Sequence, residues 1–144
     1  MLDETLTYAL IMVVKTHRLR IAAQMAPLGL HAGQELLLNQ LWKQDGLTQS
    51  ELIARLGVEP PTVTKTVQRL ERAGFLRREP DKRAIRVFLT DAGKALQEPV
   101  ERIWQETDEL IQREFGPQER ETLADLVTTM ADNAVVLRQQ VRLE

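Results

Sequence analysis

Between Pro60 and Arg86 the sequence places eight lysines and arginines against three acids, while the other 117 residues carry eleven against eighteen and the whole chain sums to −2. This segregation is the first feature that could do chemistry, because clustered cations are what neutralise a polyanion. A charge run by itself is usually a solvated face, so the spacing within it matters. Pro61, Lys65, Gln68 and Arg72 recur at helical intervals opposite Val63, Val67 and Leu70, given about 100° per residue. One face can pack while the other reads a partner. On double-stranded DNA, Thr62 and Thr64 near the start of such a helix would bond phosphates or bases. Lys65 would meet a guanine edge or a phosphate, Gln68 would pair with adenine N6 and N7, and Arg69 would clamp backbone phosphate. Arg83 lies in a second basic group, at a Pro80-Asp81-Lys82-Arg83 turn, where a guanidinium can enter a narrow A·T-rich minor groove. Asp81 would accept the N–H groups of Arg83 and orient it; the alternative is a turn aspartate bonding its own backbone.

Other chemistries find little support. There is no cysteine, which removes disulfides, thiolate metal sites and thiol switches. The two histidines, His17 and His31, have no partner at metal-ligand spacing, so neither a metal nor another cofactor is expected. The sequence has no glycine-rich phosphate loop and no nucleophile elbow, and its carboxylates are scattered, so an enzyme is not expected. The longest apolar run, Tyr8 to Val14, is far short of the roughly 20 residues that span a bilayer, and acids precede it. A soluble chain in a cytoplasmic, reducing compartment is expected, with no membrane partner.

The elements that must position the basic residues are legible. A long helix is predicted over Asp3–Ala26, broken by Pro27-Leu28-Gly29. A second runs over Ala32–Gln44, with Leu36, Leu37, Leu38 and Leu41 giving a broad apolar surface, and ends at Asp45-Gly46. Thr48-Gln49-Ser50-Glu51 is a capping box that opens a short helix with a Leu52, Ile53, Leu56 stripe, closed at Gly57. After Val58 and Glu59, Pro60-Pro61 starts the basic helix, which reaches Ala73 before Gly74. Two short helices joined by a tight turn form a helix-turn-helix. Residues 75–79, 80–83 and 84–89 read as strand, turn and strand, with Ile85, Val87 and Leu89 pointing inward. A basic-tipped hairpin directly after a recognition helix is a wing.

Thr90 is predicted to cap one long helix carrying Leu96, Val100, Ile103, Trp104, Leu110 and Ile111. After Gly116-Pro117 a last helix carries Leu123, Leu126, Val127, Met130, Ala134, Leu137 and Val141. The terminal helices have more apolar stripe than a small winged domain can cover, which favours pairing of two copies over a monomeric core.

Two stretches resemble the MarR family of winged helix-turn-helix transcriptional regulators. Asp81 to Gly93, DKRAIRVFLTDAG, is similar to the family's D-x-R-x-x-x-V-x-L-T-x-x-G signature, and Leu70 to Leu76, LERAGFL, is similar to its junction between recognition helix and wing. The resemblance covers essentially the whole chain. It implies a mainly α fold with a two-stranded β wing, a single domain over 1–144, dimerisation helices at 1–30 and 100–144, and a DNA-binding region at 31–99. It further implies a triangular homodimer with intertwined termini that reads a pseudo-palindromic operator, commonly as a repressor, and releases it on an effector signal. One departure is Glu59, a weak N-cap where the family often has Ser or Asp, so the start of the recognition helix is left open. Without cysteine or paired histidines the effector is expected to be a small organic molecule. In the family such ligands often sit between the dimerisation helices and the winged region. There His17, Arg18, Arg20 and Trp42 form a cation-plus-aromatic set suited to an aromatic acid; the alternative is His17 as an interface residue and Trp42 as core. The rival function is a winged-helix module that binds protein, which the basic recognition face disfavours.

Overall fold

A computed structural model describes residues 1–141; the end of the terminal segment expected over 100–144 lies outside the described residues. Helix α1 spans Leu6–Met25. It begins later than the apolar pattern suggests, because Leu2–Glu4 form a 3-10 turn and Thr5 is the cap, its hydroxyl accepting the Tyr8 N–H at 3.2 Å. Helix α2 (Gln34–Lys43) buries Leu37, Leu38 and Leu41. Leu36, expected among them, is 45% exposed, because it walls two surface cavities instead of entering the core.

The capping box forms as the sequence indicates. Helix α3 (Gln49–Leu56) starts with the Thr48 hydroxyl accepting the Glu51 N–H at 3.1 Å and the Glu51 carboxylate accepting the Thr48 N–H at 2.7 Å. The backbone N–H of Thr48 also holds the Glu51 carboxyl below its usual range. Helix α4 covers Pro60–Arg72 and buries Val63, Val67 and Leu70. Its start is settled by Pro60 at the first turn, since Glu59 makes no side-chain cap bond.

The two-stranded wing forms as expected and gains a third, short strand: β1 (Leu47–Thr48), β2 (Leu76–Asp81) and β3 (Ala84–Leu89) are antiparallel in the order β1-β3-β2. The hairpin strands run closer to the tip than expected, leaving Lys82 and Arg83 as a two-residue turn with Lys82 at φ 56. Pro80 is accommodated inside β2 because that strand is an edge, where a missing N–H breaks no ladder bond. Val87 and Leu89 point inward and are buried, but Ile85 is 42% exposed. The alternation persists; the hairpin has simply extended beyond the body that would cover it.

The single long helix expected after Thr90 is two. Thr90 caps the short α5 (Asp91–Ala95), and α6 runs over Gln97–Ile111 after a break at Leu96. Pro99 explains the break, because it has no N–H to give to the Ala95 carbonyl. Helix α7 spans Pro117–Val141.

The chain forms two compact units, Met1–Glu106 and the segment from Thr107 onward. The first holds one core that joins Ile21 and Met25 of α1 to α2, α3, α4, the sheet, Leu96 and Val100. In the second, Arg120 ties α7 to the end of α6. Its guanidinium donates to Glu109 at 3.0 and 3.1 Å and to the carbonyls of Gln112 and Phe115, each at 3.2 Å. No residue of α7 is buried, and Leu126, Val127, Val135, Val136 and Leu137 are each about half exposed or more. The first half of α1 likewise exposes Leu6, Ile11, Val13 and Val14.

Candidate nucleic-acid interface

The recognition helix presents the face that its periodicity demands. With Val63, Val67 and Leu70 buried, Pro61, Lys65 and Arg72 are exposed and Gln68 is partly so. The Thr64 hydroxyl is turned back, donating to the Pro60 carbonyl at 3.1 Å, which leaves its oxygen able to accept only. Thr62 and Arg69 lie on the flank of α4 that faces α2, lining a cleft with Arg18, His31 and Thr66. The outward set is therefore Pro61, Lys65, Gln68 and Arg72, with Thr62 and Arg69 at its border.

The wing corrects one expectation. Asp81 does not hold Arg83; its Oδ2 accepts the Arg86 Nε–H at 2.5 Å. The reason lies in register. Asp81 pairs with Ala84, so it shares a sheet face with Arg86, two residues farther along β3, while Arg83 sits in the turn itself. Arg86 also donates from Nη1 to the Gly46 carbonyl at 2.9 Å, and Asp45 Oδ1 accepts the N–H of Leu89 at 2.9 Å. The Asp45-Gly46 turn is thus the anchor of the wing. Gly46 has φ 73, and a Cβ there would lie 2.8 Å from the Phe88 ring. In the sequence this dipeptide reads only as a helix terminator.

Asp81→Asn is expected to leave stability close to wild type, since both partners are roughly two-fifths exposed and such pairs contribute little. Operator affinity should nevertheless fall severalfold as the hairpin loses its brace. Parallel urea melts and DNA titrations separate the two effects; affinity equal to wild type would show that the brace has no part in binding.

The decisive electrostatic feature is which cations remain uncommitted. Three arginines of the basic stretch are paired with its three acids: Arg78 with Glu71 through several charge-assisted bonds, the shortest 2.8 Å, Arg86 with Asp81, and Arg77 with Glu79. The Arg77 guanidinium also stacks over Phe88, 4.7 Å from the ring centroid. Among the described residues, Lys65, Arg69, Arg72, Lys82 and Arg83 have no carboxylate within ion-pair distance. All five are exposed, on α4 and at the hairpin tip. The local excess of positive charge therefore projects outward from the two elements suited to grooves.

Of the residues grouped for an effector, Trp42 and, through Trp104, His17 come to one cavity, while Arg18 lines another. Trp42 lines a cavity between α2 and the first half of α6, and its indole N–H donates to the Gly93 carbonyl at 3.0 Å. His17 sets its ring edge-on to Trp104, centroids 5.3 Å apart. Arg18 instead lines the cleft against α4, with His31 and Arg69. Among the described residues no group of three or more His, Asp or Glu is arranged to hold a metal, and no helix is long and apolar enough to cross a membrane.

This geometry defines a winged helix-turn-helix protein with a basic recognition helix and wing tip. The sequence model of the MarR family matches residues 30–86. The HTH-type transcriptional regulator TtmR of Methylorubrum extorquens is 41% identical over 66 residues, a match that spans 44% of this chain and 34% of that protein. The HTH-type transcriptional repressor Rv2887 of Mycobacterium tuberculosis is 30% identical over 83% of this chain and 88% of its own length. The structure of a complex of S. aureus MepR with DNA superposes with a TM-score of 0.83 at 25% identity, covering 90% of this chain and 98% of that one. The chain belongs to the MarR family of DNA-binding transcriptional regulators.

Proposed function

We propose that the protein acts as a homodimer on a pseudo-palindromic operator, represses transcription there, and is released by a small organic effector. The observation that carries this reading is the set of five exposed, unpaired cations on α4 and the wing tip. Pairing by two-fold symmetry would offer two such sets to successive major grooves, with Arg83 of each copy in the flanking minor groove. Lys65 and Gln68 read base edges; Pro61, Thr62, Thr64 and Arg69 contact the backbone beside them. The half-exposed valines and leucines of α1 and α7 supply the apolar surface that pairing would bury. A protein-binding role would call for an apolar or acidic face on α4, which is not what it presents. Residues 31–99 are the reading head and 1–30 and 100–144 the pairing segments. Rv2887, named as a repressor, and MepR, crystallised with DNA, support the direction of this reading. For the effector, an organic acid suits the cleft lined by Arg18, His31 and Arg69, where occupancy would bear directly on the recognition helix.

The test is to recover genomic DNA fragments on the purified protein, sequence them, and sediment the protein alone and bound. Fragments sharing an inverted repeat, held by a dimer, are expected. A monomer, or fragments with no common sequence, would overturn the reading.

A further inference from the structure

Charge is divided between the parts of the reading head in a regular way. Each arginine on the hairpin strands faces an acid, Arg77 with Glu79, Arg78 with Glu71 and Arg86 with Asp81, whereas the cations of α4 and of the turn face none among the described residues. Glu79 and Asp81 belong to the hairpin itself. Glu71 is the exception, because the recognition helix carries it, one turn beyond Gln68 on the flank opposite Arg69. Its carboxylate is fully engaged. Oε2 accepts the Arg78 backbone N–H at 3.1 Å and its Nε–H at 3.2 Å, while Oε1 accepts from Nε at 3.1 Å and from Nη2 at 2.8 Å. Those bonds hold the Glu71 carboxyl below its usual range, so it is ionised at the border of a surface suited to phosphates.

An ionised acid in that place opposes affinity for any duplex, and the arginine it engages would add to affinity if left alone. Stability gives little reason for the pair, since both side chains are a third exposed. Selectivity gives a better one. We infer that Glu71 is a specificity-determining residue, which withholds the Arg78 charge from the DNA backbone and so limits attachment to non-cognate sequence. Affinity for arbitrary duplex is essentially the electrostatic phosphate contribution, and specificity is the difference between two affinities. On an operator the base contacts of Lys65 and Gln68 fix the pose, and an added cation takes only the phosphate which that pose leaves within reach. On arbitrary sequence the protein is free to slide and tilt toward phosphates, so an uncommitted cation strengthens the wrong complex most. The inference rests on the proposed reading of α4 and the wing tip as the surface that meets DNA.

Glu71→Gln keeps an acceptor for the Arg78 N–H and leaves one unneutralised cation on each protomer. Full-length protein is titrated at several salt concentrations against the recovered operator fragment and against a shuffled duplex of the same length and composition. On the shuffled duplex the variant is expected to bind about three- to tenfold more tightly, with a log–log salt slope steeper by about 1–2 for a dimer. Operator affinity should rise less, so that the ratio of the two affinities falls. The Glu71→Gln, Arg78→Gln double variant removes the released charge and should return the shuffled-duplex affinity and slope to wild type. A pair that merely braces the hairpin would leave the double variant as altered as the single one; circular dichroism checks that both keep the fold. Unchanged or weaker binding of Glu71→Gln to the shuffled duplex, an unchanged ratio, or a double variant that does not return would overturn the inference alone. Wild-type protein with no preference for the operator would overturn the underlying reading and the inference with it.

Discussion

Gly93→Ala is expected to lower the unfolding free energy by about 2–3 kcal/mol, the scale of forced overpacking, and to drop the thermal midpoint by on the order of 10 °C. A Cβ on Gly93 would stand 2.1 Å from the Phe75 carbonyl oxygen and 3.1 Å from its carbon, with Leu89 Cδ2 at 3.2 Å. The first two are backbone atoms and cannot swing aside. Phe75 is pinned on both sides, its N–H donating to the Leu70 carbonyl at 3.0 Å and its carbonyl accepting the Thr90 N–H at 3.1 Å. Gly93 is pinned as well: its N–H donates to the Thr90 hydroxyl at 3.1 Å and its carbonyl accepts the Trp42 indole at 3.0 Å. One extra methyl group must therefore displace the junction of α4 with β2, the cap of α5, or the α2 contact. Chemical and thermal denaturation of the variant measure the loss. A midpoint equal to wild type would mean that α5 shifts freely away from the Phe75 carbonyl, contrary to the hydrogen bonds that pin both residues.

The same glycine shows what kind of information a sequence carries. Its place in the LTDAG stretch is plain from the resemblance, yet the reason for it, a carbonyl from a segment far back in the chain, is tertiary. Features decided within a few residues were legible: the Thr48–Glu51 capping box, Pro60 opening α4, and the buried stripe of Val63, Val67 and Leu70 with Lys65 and Arg72 outward. Features decided by register were not. Along the chain Asp81 stands two residues from Arg83, whereas the pleat gives it to Arg86; strand pairing, not proximity along the chain, chooses the partner. β1 leaves no signal in the sequence because two residues show no alternation. The break before α6 had a visible signal in Pro99, outweighed by the apolar spacing that continues across it. The separation of Trp42 from Arg18 had no local signal, since it depends on how α1 and α6 lie against α2.

Binding to the operator should fall steeply with salt, and the slope should identify which cations touch phosphate. If a dimer neutralises on the order of eight phosphates, the plot of log affinity against log salt has a slope of roughly −7. Lys65→Gln and Arg83→Gln each remove one exposed, unpaired charge per protomer, hence two per dimer. Each is expected to weaken binding about 10- to 100-fold at moderate salt and to flatten the slope by about 1–2 for phosphate contacts. The two should differ in sequence dependence. A minor-groove guanidinium at Arg83 gains most from narrow A·T tracts, so its loss should cost more on A·T-rich flanks than on G·C-rich ones. Arg78→Gln is the informative control. It removes the same formal charge from the same stretch, but Arg78 is held by Glu71, with a shortest contact of 2.8 Å, so the slope should stay close to that of wild type. Titrations of the three variants at several salt concentrations distinguish a specific contact set from a diffuse positive field. Equal flattening by all three would favour the diffuse field and remove Lys65 and Arg83 from their assigned contacts.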